Sequence, residues 1–348
     1  MKPRTADLST KAGRNAGTEI QLSQILVPVD FSKASRQAVK YAVALAETFD
    51  AGLHLLSVVE PVLFMSGLER MPIALPSDAE MVSSAQHDLE ELARQEIPAT
   101  MTATLTVKKG KPPQVIIRAA AKLGVDLIVI PTHGRTGLKR VLLGSTAEQV
   151  IRHGPCPVLT LRRRVLARSK HYADGVPTRI KRILVPVDFS TPSLRSLHYA
   201  ISFAQIVKAR LVLLHVVPES IGGSHHVISQ LKRFKDQAIN RARISLVQLA
   251  KQEFVGQVPA TVNVTSGVPF DEINRAAEAS ACDTIIIATH GRTGFKRALM
   301  GSTAENVVRY ARCPVLVVRA QRRQHRRARS EFMVFHGRVS DGAARTQE

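Results

Sequence analysis

Short aliphatic runs alternate along the chain with stretches in which apolar residues recur every three or four positions. In the first half the aliphatic runs cover 25–29, 53–59, 126–130 and 158–161, with an alternating run at 100–107. Amphipathic stretches separate them at 33–49, 77–95, 113–123 and 145–153. Uninterrupted aliphatic runs are typical of strands buried on both faces, and the 3.6-residue period is typical of helices. The pattern predicts a parallel α/β sheet covered by helices on both faces.

The second half of the chain repeats the first. Residues 24–32 read QILVPVDFS and residues 182–190 read RILVPVDFS; residues 132–146 read THGRTGLKRVLLGST and residues 289–303 read THGRTGFKRALMGST. The offset stays nearly constant over more than a hundred residues, which indicates duplication of a whole domain. We place the copies at 23–161 and 180–319, with a basic linker at 162–179 and flexible tails at 1–22 and 320–348.

Composition adds two constraints. The 348 residues suit two domains, and 45% apolar residues without any Trp predict aliphatic cores. The net charge of +21 is concentrated at 1–22, 162–182 and 319–348, which carry +2, +7 and +5. Such runs are typical of solvated arms, and attachment to nucleic acid or an anionic surface is the alternative. The runs lack interleaved aromatic residues, so a base-stacking platform is not expected there.

The three cysteines do not form a disulfide framework in a chain of this length. We expect reduced thiols and a cytoplasmic protein, because the N-terminus lacks the apolar core of a secretory signal and no apolar stretch reaches the roughly 20 residues of a membrane span. No Cys/His spacing indicates a metal. The pair His225-His226 lies among Gly and Ser and is interpreted as a solvated loop rather than a weak chelator.

A candidate anion site follows the fourth strand of each copy. Gly144-Ser145-Thr146 opens a helix in the first copy, and Gly301-Ser302-Thr303 does so in the second. A helix N-terminus offers unpaired N–H groups and the positive end of the helix dipole, and glycine lets a phosphate approach the backbone. An alternative interpretation stays open, because 145–148 and 302–305 also fit a capping box in which a Glu side chain would occupy the same amides.

Together, ILVPVDFS at the start of each copy, THGRTG and GST near its end, and PCPVL or RCPVL as the last strand resemble universal stress protein domains. The resemblance covers both copies, and it implies a doubly wound α/β fold with five parallel strands in the order 3-2-1-4-5. One branch of that family binds ATP through a pattern of Gly, two residues, Gly, nine residues, Gly and then Ser or Thr. Another branch lacks the pattern and does not bind ATP.

The resemblance assigns binding roles to one set of residues in each copy. An Asp after the first strand would lie near the adenosine and a Val at the end of the second strand would flank adenine, although an ordinary turn is the alternative for each Asp. The predicted site residues are Asp30, Val58, His133, Gly134, Gly144, Ser145 and Thr146 in the first copy, and Asp188, Val216, Ala288, His290, Gly291, Gly301, Ser302 and Thr303 in the second.

Both copies depart from the family pattern at its first glycine. Pro131 stands there in the first copy and Ala288 in the second. Pro131 has no N–H to donate and adds a ring, whereas Ala288 keeps the N–H and adds one methyl group. We therefore expect the second copy to bind nucleotide more readily.

Three classes of function follow. The first is an ATP-binding stress-response protein, with ATP bound alone or with Mg²⁺, in which nucleotide sets a state that partners sense. The second is a scaffold of the same fold that binds no nucleotide and acts through protein partners. The third is an enzyme, in the form of a slow ATPase. His133 and His290 could assist phosphate chemistry, but such residues more often hydrogen-bond to the backbone.

The last strand of each copy, at 158–161 and 315–318, is an edge without another predicted cover. Family members dimerise through these strands. We therefore predict an intramolecular pseudo-dimer in which the two strands pair antiparallel. A homodimer of the whole chain stays open.

Overall fold

The computed structural model describes residues 6–8, 20–61, 77–132, 143–162, 172–173, 176–177, 180–219, 228–253, 258–289 and 300–319. After a short strand β1 (Ala6–Leu8), the first copy contains β2 (Gln24–Val29), α1 (Lys33–Phe49), β3 (Gly52–Val59), α2 (Asp78–Glu96), β4 (Ala103–Lys109), α3 (Pro112–Leu123), β5 (Leu127–Pro131), α4 (Ser145–His153) and β6 (Val158–Leu161).

Two very short strands, β7 (Tyr172–Ala173) and β8 (Val176–Pro177), lie between the copies. The second copy contains β9 (Arg182–Pro186), α5 (Thr191–Val207), β10 (Arg210–Pro218), α6 (Ile228–Glu253), β11 (Ala260–Gly267), α7 (Pro269–Ala279), β12 (Thr284–Ala288), α8 (Ser302–Tyr310) and β13 (Val315–Val318).

Each copy forms a parallel sheet in the predicted order. The strands run β4-β3-β2-β5-β6 in the first copy and β11-β10-β9-β12-β13 in the second, which is 3-2-1-4-5 in each. Buried side chains of α1, α2, α5 and α6 pack on one face of the sheet, and those of α3, α4, α7 and α8 pack on the other. The doubly wound α/β prediction is confirmed.

Local sequence explains where the helices begin and end. Ser32 Oγ accepts a hydrogen bond from the Ser35 amide and caps α1, while Asp50 ends the helix in the left-handed region at φ 51°. Ser77 and Glu80 form a capping box at the start of α2. The strand predicted at 100–107 instead covers 103–109, because the Met101 amide donates to Pro98 O and closes a turn first.

The two copies join through their last strands. β6 and β13 pair antiparallel, with Leu159 opposite Leu316, and this is the pairing that we expected of these edges. The helices beside this seam also meet, since the rings of Phe49 in α1 and Phe203 in α5 lie 5.2 Å apart between centroids. Tyr41 of α1 is fully buried in a cluster that contains residues of both copies, and burial raises the pKa of its hydroxyl. The seam is a hydrophobic core.

Short strands occur within the predicted tail and linker, among the residues that the structure describes. Residues 6–8, which we predicted to belong to a flexible tail, pair antiparallel with the edge strand β11. Leu22 is buried, and Ile20 packs on the core. In the predicted linker, β7 and β8 pair antiparallel, with Tyr172 opposite Pro177 and Ala173 opposite Val176. An open sheet edge recruits a strand, which accounts for the pairing of residues 6–8.

The turn after the third strand of each copy requires glycine. Gly110 and Gly267 have φ values of 139° and 151°. A Cβ on Gly110 would lie 2.9 Å from Val115 Cγ2, and one on Gly267 would lie 2.9 Å from Glu272 Cγ. These glycines serve the architecture.

Candidate nucleotide site

A crevice opens in each sheet at the point where the strand order reverses. β2 pairs with β5 only at Ile25–Leu127 and Leu26–Ile128, although both strands continue to Val29 and Pro131. β9 and β12 likewise pair only at two positions near their starts. The carboxyl ends of the central strands therefore separate at the switch point, where ligands of doubly wound sheets bind.

One wall of each crevice is the turn that carries the predicted aspartate. Asp30 Oδ1 accepts a hydrogen bond from the Ser32 amide at 3.0 Å. Asp188 Oδ1 accepts from the Ser190 amide at 2.9 Å and from the Ser190 hydroxyl at 2.5 Å. Each carboxylate thus holds the entry turn of the following helix, as the turn interpretation expects, and does so at the mouth of the crevice.

The residue after each aspartate has an unusual backbone. Phe31 and Phe189 have φ values of 62° and 63°, in the left-handed region. This region is strained for a bulky side chain, and such strain clusters at functional sites. Both copies keep the same conformation at the same place, although the sequence analysis did not single out these residues. The repeated Asp-Phe-Ser triplet is the signal that marks them.

The opposite wall is the start of the helix after β5 or β12. Gly144 and Gly301 are the N-caps of α4 and α8, and their amides donate to Thr132 O and Thr289 O, each at 2.8 Å. Ser145 and Ser302 are therefore the first helical residues, and Thr146 and Thr303 the second. The amides of a first helical turn have no partner within the helix, so they can bind an anion.

The capping-box interpretation of these helices is wrong. A capping box needs Glu at the third helical position, but Gly at the N-cap places Glu148 and Glu305 at the fourth. Their carboxylates instead pair within the helix, with Glu148 Oε1 2.7 Å from Arg152 Nη2 and Glu305 Oε1 2.8 Å from Arg309 Nη2. The two acids are thus turned away from the amides.

The ion pairs of these two helices also connect across the seam between the copies. Arg152 Nη2 also lies 3.7 Å from Glu305 Oε2, so an ion-pair chain links α4 to α8. These side chains are between 22% and 33% exposed, so water screens them only in part. Each arginine holds a carboxylate that would otherwise compete with an anion.

The remaining described site residues lie at the ends of strands. Val58 and Val216 are half-buried near the ends of β3 and β10. Pro131 and Ala288 are buried as the last residues of β5 and β12, directly beside the crevice. The predicted residues His133, Gly134, His290 and Gly291 lie outside the described part of the chain.

A histidine in the second copy was missed by the sequence analysis. His215 on β10 is 8% exposed, and its Nδ1 donates to Val187 O at 2.7 Å. Its ring lies 4.9 Å from that of Phe189, next to Asp188. The first copy has Ser57 at the equivalent place. A lone polar residue in the strand RLVLLHVVP was the available signal.

Within the described residues, no group of three or more His, Cys, Asp and Glu side chains is placed to share a metal ion. The three cysteines are buried and free of disulfides, and burial raises the pKa of Cys156 and of Cys282 to about 12. No helix in this part of the chain is both long and apolar enough to cross a membrane.

Comparison with known proteins gives consistent matches. The model of the universal stress protein family matches residues 22–162 and 179–319. A universal stress protein of Methanocaldococcus jannaschii is 34% identical over 150 residues, which are 41% of this chain and 85% of that protein. One of Mycolicibacterium smegmatis is 26% identical over 301 residues, which are 85% of this chain and 96% of that protein.

Among solved structures, a universal stress protein from Archaeoglobus fulgidus superposes with a TM-score of 0.59 at 22% identity. The match covers 86% of this chain and 97% of that one. This likeness shows a shared fold over both copies.

Proposed function

This chain belongs to the universal stress protein family, and we propose that it is an adenine-nucleotide-binding regulatory protein whose second copy binds ATP. One observation carries the proposal: the sheet of that copy opens at its switch point, between Asp188 and the glycine-capped start of α8. The crevice supplies a cleft for the nucleoside, and the helix start supplies amides for the phosphates.

The electrostatics of this helix start support an anionic ligand. Ser302 and Thr303 add hydroxyl groups in the first turn of α8, and the carboxylate of Glu305 is engaged by Arg309. Without that ion pair, a carboxylate beside the helix start would repel phosphate, since both carry negative charge. The site therefore has the polarity that a polyphosphate requires.

The two copies differ beside the crevice in a way that favours the second. Ala288 retains a backbone N–H at the end of β12, whereas Pro131 has none at the end of β5. His215 also braces the turn at Asp188 through Val187 O, and Ser57 takes its place in the first copy. We assign the working site to the second copy for these two reasons.

Equilibrium binding of ATP, with and without Mg²⁺, to the full chain tests the proposal. We expect one nucleotide to bind per chain. Binding should be lost in Gly301→Val and retained in the matched control Gly144→Val. Both glycines have ordinary negative φ values of −64° and −62°, so valine fits the backbone at each. No binding at millimolar ATP would favour the scaffold function, and phosphate release well above background would favour an ATPase.

A further inference from the structure

The amino-terminal ends of the strands lie on the side of the sheet opposite the candidate crevice. Their charge differs between the two copies. In the second copy, four cationic residues stand where β9 and β10 begin, and we call them the basic edge: Lys181, Arg182, Lys208 and Arg210. The residues 158 positions earlier in the first copy carry one negative charge between them: Ser23, Gln24, Asp50 and Gly52. The duplicated fold thus differs by five charges at equivalent places.

Backbone hydrogen bonds show that these positions are structurally equivalent. The Arg210 amide donates to Lys181 O at 2.9 Å, and the Gly52 amide donates to Ser23 O at 2.8 Å. Lys208 and Asp50 both end their helices in the left-handed region, at φ values of 54° and 51°. The charge difference therefore arises from the side chains alone.

The basic edge is exposed and crowded. All four residues are exposed, and Arg182 and Arg210 are register partners on neighbouring parallel strands. Strands in a sheet lie about 4.8 Å apart, and like charges opposite one another destabilise it. A second-copy sheet with this edge therefore gains stability from any anion bound there.

The protein supplies little compensation for this charge. Arg182 Nη1 donates to Ser280 O at 2.8 Å, and the Asp283 carboxylate accepts the amides of Lys181 and Arg182. Among the described residues, no carboxylate is paired with the side chain of Lys181, Lys208 or Arg210. Three positive side chains are thus available to an external partner.

Part of the basic edge is concave. Lys208 and Arg210 line an open depression of about 410 Å³, together with Gln205, Val258 and Pro259. Arg presents a planar fork of donors to phosphate oxygens, and Lys presents a compact charge. This combination suits phosphate groups.

We propose that the basic edge binds the phosphate backbone of double-stranded nucleic acid without reading its sequence. The four residues include no aromatic side chain for stacking single-stranded bases. The edge offers little apolar surface to a membrane, since only Ile206, at 38% exposure, lies beside Lys208, and the more exposed Phe234 and Ile244 belong to α6.

A charge-matched pair of variants tests this assignment. K181Q/K208Q/R210Q removes three cationic side chains of the basic edge, and K111Q/R118Q/K122Q removes three cationic side chains at and near α3 in the first copy. Both variants keep the Arg-rich tail and linker, so these cannot account for a difference. Arg182 is retained because of its bond to Ser280 O.

Binding of a labelled duplex of about 20 base pairs is followed by fluorescence anisotropy at several salt concentrations. The slope of log K against log salt should fall in magnitude by roughly 2.7 for K181Q/K208Q/R210Q, at roughly 0.9 for each lost phosphate contact, and stay unchanged for the control. Absence of duplex binding, or equal slopes in the two variants, would overturn the proposal. Binding to vesicles that contain anionic lipid is measured in parallel. The proposal would also be overturned if K181Q/K208Q/R210Q weakened binding to these vesicles but not to the duplex. Unchanged ATP binding by both variants separates this result from the nucleotide site.

Discussion

Arg319 of the second copy donates a hydrogen bond from Nη1 to the carbonyl oxygen of Gly154 in the first copy, at 3.1 Å. The reciprocal contact joins Arg162 Nη1 to Ala311 O at 3.2 Å. Gly154 and Ala311 are the C-caps of α4 and α8. A helix C-terminus carries unpaired carbonyl groups and the negative end of the dipole, so each copy stabilises the last helix of the other.

Removing the two arginine hydrogen bonds between the copies should lower the stability of the folded chain. In R162A/R319A, we expect the free energy of unfolding to fall by about 1–2 kcal/mol for each arginine, because a hydrogen bond from a charged donor is lost. Urea unfolding followed by circular dichroism measures the change. Arg312 is 78% exposed and pairs with Glu278, so Arg312→Ala is the control and should change stability by less than about 0.5 kcal/mol. Equal effects of the two changes would show that the exchanged contacts contribute nothing special.

Releasing the carboxylate of Glu305 should inhibit nucleotide binding. R152Q/R309Q replaces the two arginines that pair with Glu305 by neutral glutamines. The carboxylate of Glu305 can then turn towards the start of α8. We expect ATP affinity to fall up to about fivefold, which corresponds to a carboxylate–dipole interaction of about 1 kcal/mol. Adding Glu305→Gln to that variant should restore the affinity. A loss that persists in the triple variant would show that the arginines act in another way.

Pro131 accounts, in our proposal, for the weakness of the first site. Pro131→Ala gives β5 the same last residue as β12 and restores a backbone N–H beside the crevice. We expect calorimetry to report a second ATP per chain in this variant. The double variant P131A/G144V should return to one. If Pro131→Ala leaves the stoichiometry at one, the difference between the copies lies elsewhere, and His215 becomes the first residue to test.

His54 should make folding stability depend on pH. Its Nε2 lies 2.7 Å from Gln24 Oε1, which accepts the proton of that nitrogen, while Nδ1 is buried without a hydrogen-bond partner among the described residues. Burial lowers the pKa of His54 below its ordinary value of 6.5. The folded state therefore binds a proton less readily than the unfolded state, and stability present above pH 6.5 declines as the pH falls through the lowered pKa.

Urea unfolding between about pH 5 and 8 tests this dependence. His54→Gln should reduce the decline on the acid side, because glutamine does not titrate. His87→Gln, at an exposed position of α2, serves as the control and should leave the profile of the parent unchanged. Identical acid-side slopes for His54→Gln and the parent would contradict the assignment.

The sequence predicted the elements well and the candidate site only in part. Helix α1 and strands β6 and β13 fall on their predicted bounds, because uninterrupted aliphatic runs and the Ser N-cap are local signals. The family resemblance supplied the strand order, which hydrophobic periodicity does not specify. The helix start at Gly144 was ambiguous, since Ser-Thr-Ala-Glu fits both a capping box and an open anion site.

The sequence by itself determined that this chain is a duplicated α/β protein, because the repeated motifs and the hydrophobic period can be read from the order of residues without the three-dimensional fold. Only the tertiary structure showed that β2 and β5 separate beyond two paired positions, that Arg152 of α4 lies close to Glu305 of α8, and that Arg182 and Arg210 are adjacent. These relationships depend on strand register and on helices placed side by side. Long-range packing fixes both, and no local pattern encodes them.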